Sequence, residues 1–420
     1  MTLIHTRGAV GARIETIDAL RGFALLGIVL VHMVEQYVAS PPPAAEPNLG
    51  VFTAADGAVR ILVGLLFVGK FFALFSLLFG VSFAIQLDSA AQRGVAFGTR
   101  FVWRLAILFA IGMVHHLFYR GDILSIYAAL GLLLLPLRRV GDRTLLVLAA
   151  AVALGAHRVV LAAWTAFQDG AIAVMAQDEQ ALAAYFAAIR SGALGALFAS
   201  NLTDGMTTKL SFLFGWIGRG WQTLALFILG LYLGRRRWHE RLDDSRRQLR
   251  LVTWGGIALA VASAAMGAAL FALGFVPTSA EAARPWHYMA ALGLYDLFNL
   301  GVVAVYGGGF LLLYEGRLRP LLRQFAPVGR TALTSYLAQS AIGVFIFYGF
   351  GLGLLGRMPL ALAFLLGFVI FAAQVIASRW WVRRFRYGPV EWLWRSLTNW
   401  RVEPLRRREA EPAAAAHANP

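Results

Sequence analysis

Apolar windows about as long as a bilayer core recur along nearly the whole chain, and that recurrence confines it to a membrane fold. A helix needs roughly 20 apolar residues to cross a hydrocarbon core about 30 Å thick. Ten stretches approach or exceed that length, near 20–38, 61–86, 102–119, 123–137, 144–166, 212–233, 252–275, 288–314, 331–350 and 359–378. The fourth is short, and the sixth carries Arg219 and Gln222. Lipid offers nothing to unpaired backbone groups, so spans of this kind are helical. With 59% hydrophobic and 14% charged residues, the expected fold is an all-α, polytopic transmembrane bundle of about ten spans.

The net charge of +16 would ordinarily raise the question of nucleic acid. With ten spans, however, 29 of the 38 Lys and Arg residues fall on the same side as the N-terminus. The positive-inside rule then places both termini in the cytoplasm. The expected partners of these basic loops are membrane lipids, with no nucleic acid. The absence of cysteine excludes disulfides, thiolate metal sites and a cysteine acyl-enzyme. Val38-Ala39-Ser40 could pass for a leader cleavage site, but Pro41 follows at once and a retained first span is expected.

The pattern divides the chain into a cytoplasmic lead at 1–17, five or six spans over 18–234, a basic cytoplasmic linker at 235–250, further spans with an amphipathic end over 251–400, and a disordered tail at 401–420. The stretch 167–211 is the long outer loop. Apolar residues recur within it at helical spacing over 177–189, as in an interfacial helix or a lid over an outward-facing mouth. No convincing repeat relates the two halves.

The first span carries an unusual stripe. Arg21 and His32 are eleven residues apart, three helical turns plus about 20°, so they share a face roughly 16 Å apart along the axis. Asp18 and Glu35 fall on the same arc. Ionisable groups inside a bilayer are costly, so this stripe is expected to face other helices, water or a ligand. Lys70, His115, His116, Asp122, His157, Arg158, Asp296 and Asn299 all fall toward the outer half, whereas Arg100, Arg104, Arg138 and Arg139 lie near inner ends with Arg21.

The stretch from Asp18 to Ile28 resembles the opening of the YeiB-like membrane proteins, the domain-of-unknown-function 418 family. Gly69–Gly80, Gly121–Leu124, Pro327–Ser340, Phe347–Gly353 and Gly388–Arg395 resemble later parts of that family in order. The family is in turn similar to the acyltransferase-3 and heparan-glucosaminide N-acetyltransferase membrane enzymes. The former carry an Arg, ten residues, then a His in the first span, the spacing that Arg21 and His32 supply.

The resemblance implies a bacterial cytoplasmic (inner) membrane O- or N-acyltransferase. It would move an acyl group, an acetyl group in the first instance, from cytoplasmic acyl-CoA to an unknown envelope glycan, lipid or small acceptor. In that reaction His32 is the expected base and Glu35 its orienting carboxylate. Lys70 is expected to stabilise the oxyanion. Arg21, Arg100 and Arg104 are the expected anchors for the donor's phosphates. Asp18, His115, His116, Asp122, Asp296 and Asn299 would line the substrate path.

Each residue also has a structural alternative. Asp18 and Arg21 can form an interfacial ion pair, His32 can bond a neighbouring helix, and Lys70 can snorkel. The inner arginines can be topology markers. Thr331, Ser335 and Gln339 read as interhelical hydrogen bonds. No metal is expected, because no histidine pair has the zincin spacing; His115, His116 and Asp122 come nearest to a ligand set. The alternative of another class is a transporter or exporter whose polar stripe lines a path. A homo-oligomer remains open.

Overall fold

The structure is a computed structural model that describes residues 2–94, 96–167, 179–238, 246–275 and 285–407. Among the described residues it is all-helical, apart from one isolated antiparallel bridge between Phe385 and Arg406. In chain order the helices begin with α1 (Thr2–Val34), α2 (Ala54–Leu66), α3 (Lys70–Gln92), α4 (Gly98–Phe118), α5 (Leu124–Leu132), α6 (Leu134–Leu137) and α7 (Asp142–Ala153). They continue with α8 (Ala156–Phe167), α9 (Glu179–Ser191), α10 (Leu194–Leu202), α11 (Asp204–Phe214), α12 (Arg219–Arg235) and α13 (Arg246–Ala272). The last are α14 (Pro285–Tyr314), α15 (Arg319–Leu322), α16 (Ala326–Arg330), α17 (Ala332–Phe347), α18 (Leu360–Arg384) and α19 (Pro389–Asn399). Parts of the expected outer loop, basic linker and tail, at 168–178, 239–245 and 408–420, lie outside the described residues.

Six of the described helices are long and apolar enough to cross a membrane, and eight if each of two bent pairs counts as one span. The chain is therefore a multi-pass α-helical membrane protein. The bends fall inside two expected spans: α7 and α8 meet at 55°, and the α10–α11 segment meets α12 at 54°. A third expected span is interrupted at residues 67–69, between α2 and α3. Each interruption ends on a glycine with positive φ, Gly69, Gly155 or Gly218, a conformation that glycine adopts without a Cβ penalty. Hydropathy averages across such a residue and does not register it. The windows at 123–137 and 331–350 contain shorter helices, the α5–α6 pair and the 16-residue α17.

The polar stripe on α1 dictates where that helix sits. Its apolar window is 78% buried, against 17% for that of α13 at the periphery. α3, α16, α17 and α18 pack around it. Phe71 lies where a Cβ on Gly27 would go, and the Phe325 carbonyl lies against Gly22, so the surrounding segments approach α1 closely. The small polar residues of α17 bond its neighbours as expected. Gln339 donates to Gln374 at 2.8 Å, Gln374 donates to the Ser335 carbonyl at 2.9 Å, and Thr331 meets Ser378 at 3.3 Å.

α3 and α12 cross at a pair of glycines, where the Gly80 and Gly230 backbones touch with no side chain between them. A Cβ on Gly230 would overlap the Leu77 carbonyl and lie 2.9 Å from the Gly80 Cα. Gly230→Ala is therefore expected to destabilise the bundle by about 1–3 kcal/mol, the usual cost of overpacking against unyielding atoms. Thermal unfolding in detergent would show this, and an unchanged midpoint would contradict so close a crossing.

Candidate functional site

The stripe residues of α1 divide between two ends of one internal feature. At the first end, Arg21 donates to Asp18 at 2.7 Å and to the Ser82 hydroxyl of α3 at 2.6 Å. The Asp18–Arg21 ion pair is thus present, and Arg21 also ties α1 to α3. Arg21 borders a cavity of about 220 Å³, together with Ser82, Arg104, Arg330, Glu391 and Trp394. The Arg104 guanidinium lies 4.0 Å from the centre of the Trp394 ring, and the Trp394 indole donates to the Arg104 carbonyl at 2.8 Å. Glu391 caps α17, accepting the Leu333 and Thr334 amides at 2.7 and 3.1 Å. Arg100, one turn before Arg104, hydrogen-bonds Asn399 and lines a separate surface groove of about 730 Å³. Two of the three expected anchors therefore share the cavity and one does not.

Ile123, Leu124, Tyr127 and Tyr336 also line the cavity. Behind Tyr336 lie the imidazoles. The Tyr336 ring is 5.2 Å from that of His115 and 6.4 Å from that of His32, while Tyr119 lies 5.7 and 5.3 Å from the same two rings. His32 and His115 therefore converge on two shared tyrosines, although they come from α1 and α4.

Asp122 organises this end. It follows Gly121 in the turn before α5 and is fully buried. Its carboxylate accepts the Leu124 and Ser125 amides at 3.0 Å each and the Ser125 hydroxyl at 2.5 Å. It also takes the Lys209 ammonium at 3.2 Å and His115 Nδ1 at 2.9 Å. A carboxylate only accepts, so His115 Nδ1 carries a proton, and in the neutral ring the lone pair then lies on Nε2. That Nε2 is buried and has no hydrogen-bond partner. His116 turns away, placing Nε2 2.9 Å from the Asn201 carbonyl and Nδ1 3.5 Å from Lys209. Among the described residues no group of three or more His, Cys, Asp or Glu is arranged to hold a metal ion.

Glu35 was expected to orient His32, but no hydrogen bond joins the two among the described residues, and His32 Nδ1 has no partner. The orienting arrangement is found instead at His115 and Asp122. Lys209 and the tyrosines escaped the sequence reading. The only signal for Lys209 was a lone cation in α11, just ahead of Leu210, Phe212, Leu213 and Phe214.

The chain just beyond His32 is strained. Gln36, Tyr37 and Ala39 have φ of 50°, 57° and 52°, unusual for residues with a Cβ. Surrounding bonds hold the turn in place. Gln36 takes the Gly356 amide at 2.7 Å, Tyr348 donates to the Tyr37 carbonyl at 2.8 Å, and Tyr185 of α9 donates to the Val38 carbonyl at 2.8 Å. Backbone strain of this kind concentrates at functional sites.

α9 thus covers the His32 end, with Tyr185, Phe186 and Ile189 buried beneath it. Its C-terminal Arg190 pairs with Glu46 at 2.5 Å, and this bond holds the Glu46 carboxyl below its usual range. Because the folded value is depressed, the contribution is complete above the ordinary carboxylate range and is lost as pH falls through the folded value. The pair is exposed and worth at most about 1 kcal/mol. Acidification is expected to loosen α9 toward limited proteolysis at 179–191, and Glu46→Gln to make that cleavage independent of pH. Equal pH dependence in the variant would sink the idea.

Lys70, Asp296 and Asn299 have a different set of neighbours. Lys70 donates to the Gly64 carbonyl at 3.2 Å and faces the Tyr295 and Phe298 rings of α14. Asp296 pairs with Arg158 at 2.6 Å, and Arg219 lies 3.9 Å away. Lys70 belongs to this second cluster, and among the described residues no hydrogen bond or ion pair joins it to His32 or His115.

Comparison with known proteins identifies a family. Residues 233–401 match the model described as a protein of unknown function, DUF418. The uncharacterized protein YxaH of Bacillus subtilis is 29% identical over 94% of this chain and 96% of its own length. An uncharacterized 39.9 kDa protein of Bacillus acidopullulyticus is 27% identical over 96% of this chain and 99% of its own. No solved structure matches. The protein YeiB of Escherichia coli is 30% identical over 91% of this chain and 95% of its own length, and the chain belongs to this YeiB-like DUF418 family.

Proposed function

We propose that the protein is an integral membrane acyltransferase that moves an acyl group, acetyl in the first instance, from acyl-CoA to an envelope glycan, lipid or small acceptor. The observation that carries the reading is the Asp122–His115 pair. Its free Nε2 shares Tyr336 with a cavity whose other end holds Arg21, Arg104 and Arg330. The cavity volume falls below the usual ligand-pocket range of about 300–1,000 Å³, which suits a slender acyl-bearing arm better than a nucleotide. The donor's phosphates would remain at the arginine end.

The acceptor O–H or N–H attacks the thioester carbonyl as His115 Nε2 takes its proton. The Tyr336 hydroxyl, in place of Lys70, supplies a hydrogen bond to the oxyanion. The intermediate then collapses with cleavage of the C–S bond, and the departing sulfur takes the proton back from His115. Acylated acceptor and free CoA thiol are the products. His32, across the shared tyrosines, borders the acceptor.

The reading also includes ten spans: the eight above, the α5–α6 pair and α17. With the basic loops inside, both termini are cytoplasmic in a bacterial inner membrane and the Arg21 end faces the donor. The test is CoA-thiol release from acetyl-CoA by purified protein, with and without envelope extract. The chain contributes no thiol of its own. Release that depends on the extract is the expected result.

The three interrupted helices favour a second reading, since transporters build mid-membrane sites from such breaks. A folded protein that releases no thiol with a range of acyl-CoAs and acceptors would move the assignment to transport.

A further inference from the structure

Three helices begin at one buried place, each with a cation in its first turn. Lys70 opens α3 after Gly69, Arg158 lies in the first turn of α8 after Gly155, and Arg219 opens α12 after Gly218. Their exposures are 0%, 1% and 8%. Lys70 and Arg219 lie over one ring, that of Tyr295, at 5.4 and 5.0 Å. The Arg219 guanidinium lies 3.3 Å from where a Cβ on Gly69 would be, so a glycine there lets it sit beside the start of α3.

Among the described residues the only carboxylate paired with these cations is Asp296, 2.6 Å from Arg158 and 3.9 Å from Arg219. Three cations sharing one anion leave a net excess of two positive charges, and three helix N-termini add positive partial charge. Uncompensated charge inside a membrane is expensive. Other polar groups are also left over. Arg158 uses Nε and Nη2 on the Trp216 and Ile217 carbonyls at 2.9 and 3.0 Å, but its buried Nη1 has no partner. Asn299, one turn from Asp296 and 3% exposed, has both amide atoms buried and unbonded.

We propose that Lys70, Arg158, Arg219 and Asn299 form a membrane-embedded binding site for one phosphate group, separate from the His115 site and independent of the reaction assigned there. Guanidinium and ammonium donors around a helix N-terminus are the usual surroundings of a phosphate. The phosphate would belong either to a phospholipid headgroup or to a free phosphate ion. Its arrival would draw the Lys70 ammonium from the Gly64 carbonyl and occupy the free Arg158 and Asn299 donors.

The test uses the full chain in detergent. Its thermal midpoint is followed against sodium phosphate, with sodium gluconate holding ionic strength constant, and native mass spectrometry counts phospholipid retained through purification. A midpoint that rises and saturates with phosphate in wild type, and not in Arg219→Gln, identifies a free ion. One retained phospholipid per chain, lost in Arg219→Gln, identifies a headgroup. Asn299→Ala removes only a neutral donor and guards against a misfolded Arg219→Gln; it should weaken either form of binding roughly 3- to 10-fold. A wild-type protein that neither responds to phosphate nor retains phospholipid overturns the proposal, as does Arg219→Gln behaving like wild type.

Discussion

His115→Ala is expected to lower CoA-thiol release by about 10²- to 10⁴-fold, the range that a positioned general base contributes. The loss should fall on kcat and leave KM for the acyl donor little changed, because the arginine end of the cavity is untouched. Asp122→Asn is a sharper version. It preserves size, but an amide turned to donate would displace the proton from Nδ1 and leave it on Nε2. His32→Ala is the necessary comparison, since His32 shares both tyrosines and lacks an orienting partner. If His32→Ala abolishes turnover while His115→Ala retains it, the base has been assigned to the wrong imidazole.

The second large effect is on stability. Asp122→Ala removes one carboxylate and strands several groups together: the Lys209 ammonium, the His115 N–H, the Ser125 hydroxyl and two amides at the start of α5. Removing one partner of a buried ion pair typically costs about 3–5 kcal/mol, since the other charge stays buried. The expected result is a large fall in the thermal midpoint of the detergent-solubilised protein. Lys209→Met should restore part of it in the Asp122→Ala background, because the stranded charge is then gone. Full stability in Asp122→Ala alone would mean that the network described here does not hold the His115 end together.

Much of this was legible from residue order. Window length announces a multi-pass helical protein, and the eleven-residue spacing puts Arg21 and His32 on one face of one helix. That Arg104 and His115 lie toward opposite ends of α4 also follows from counting along that helix. Partnership between helices does not follow. His115 and Asp122 are seven residues apart across a turn, so their bond depends on how Gly121 lets the chain reverse. The meeting of His115 with His32 depends on Tyr119, at the end of α4, and Tyr336, from α17, both reaching the His32 ring, and nothing in a single helix encodes that. Lys70 shows the same limit. Its depth could be counted, but the break at Gly69 and the approach of α12 and α14 decide which cluster it joins.

The central place of α1 also sets a schedule. This helix leaves the ribosome well before its neighbours α16, α17 and α18, which come about 300 residues later. At roughly 5–20 residues per second that delay is on the order of tens of seconds. Asp18 and Arg21 can neutralise each other at once, being one turn apart. His32 and Glu35 have no such local partner, and the Tyr336 ring that will face His32 has yet to be made. Nascent α1 must therefore wait, polar face exposed, either inside the insertion machinery or against whatever spans arrive next, and the bundle closes around this early helix last.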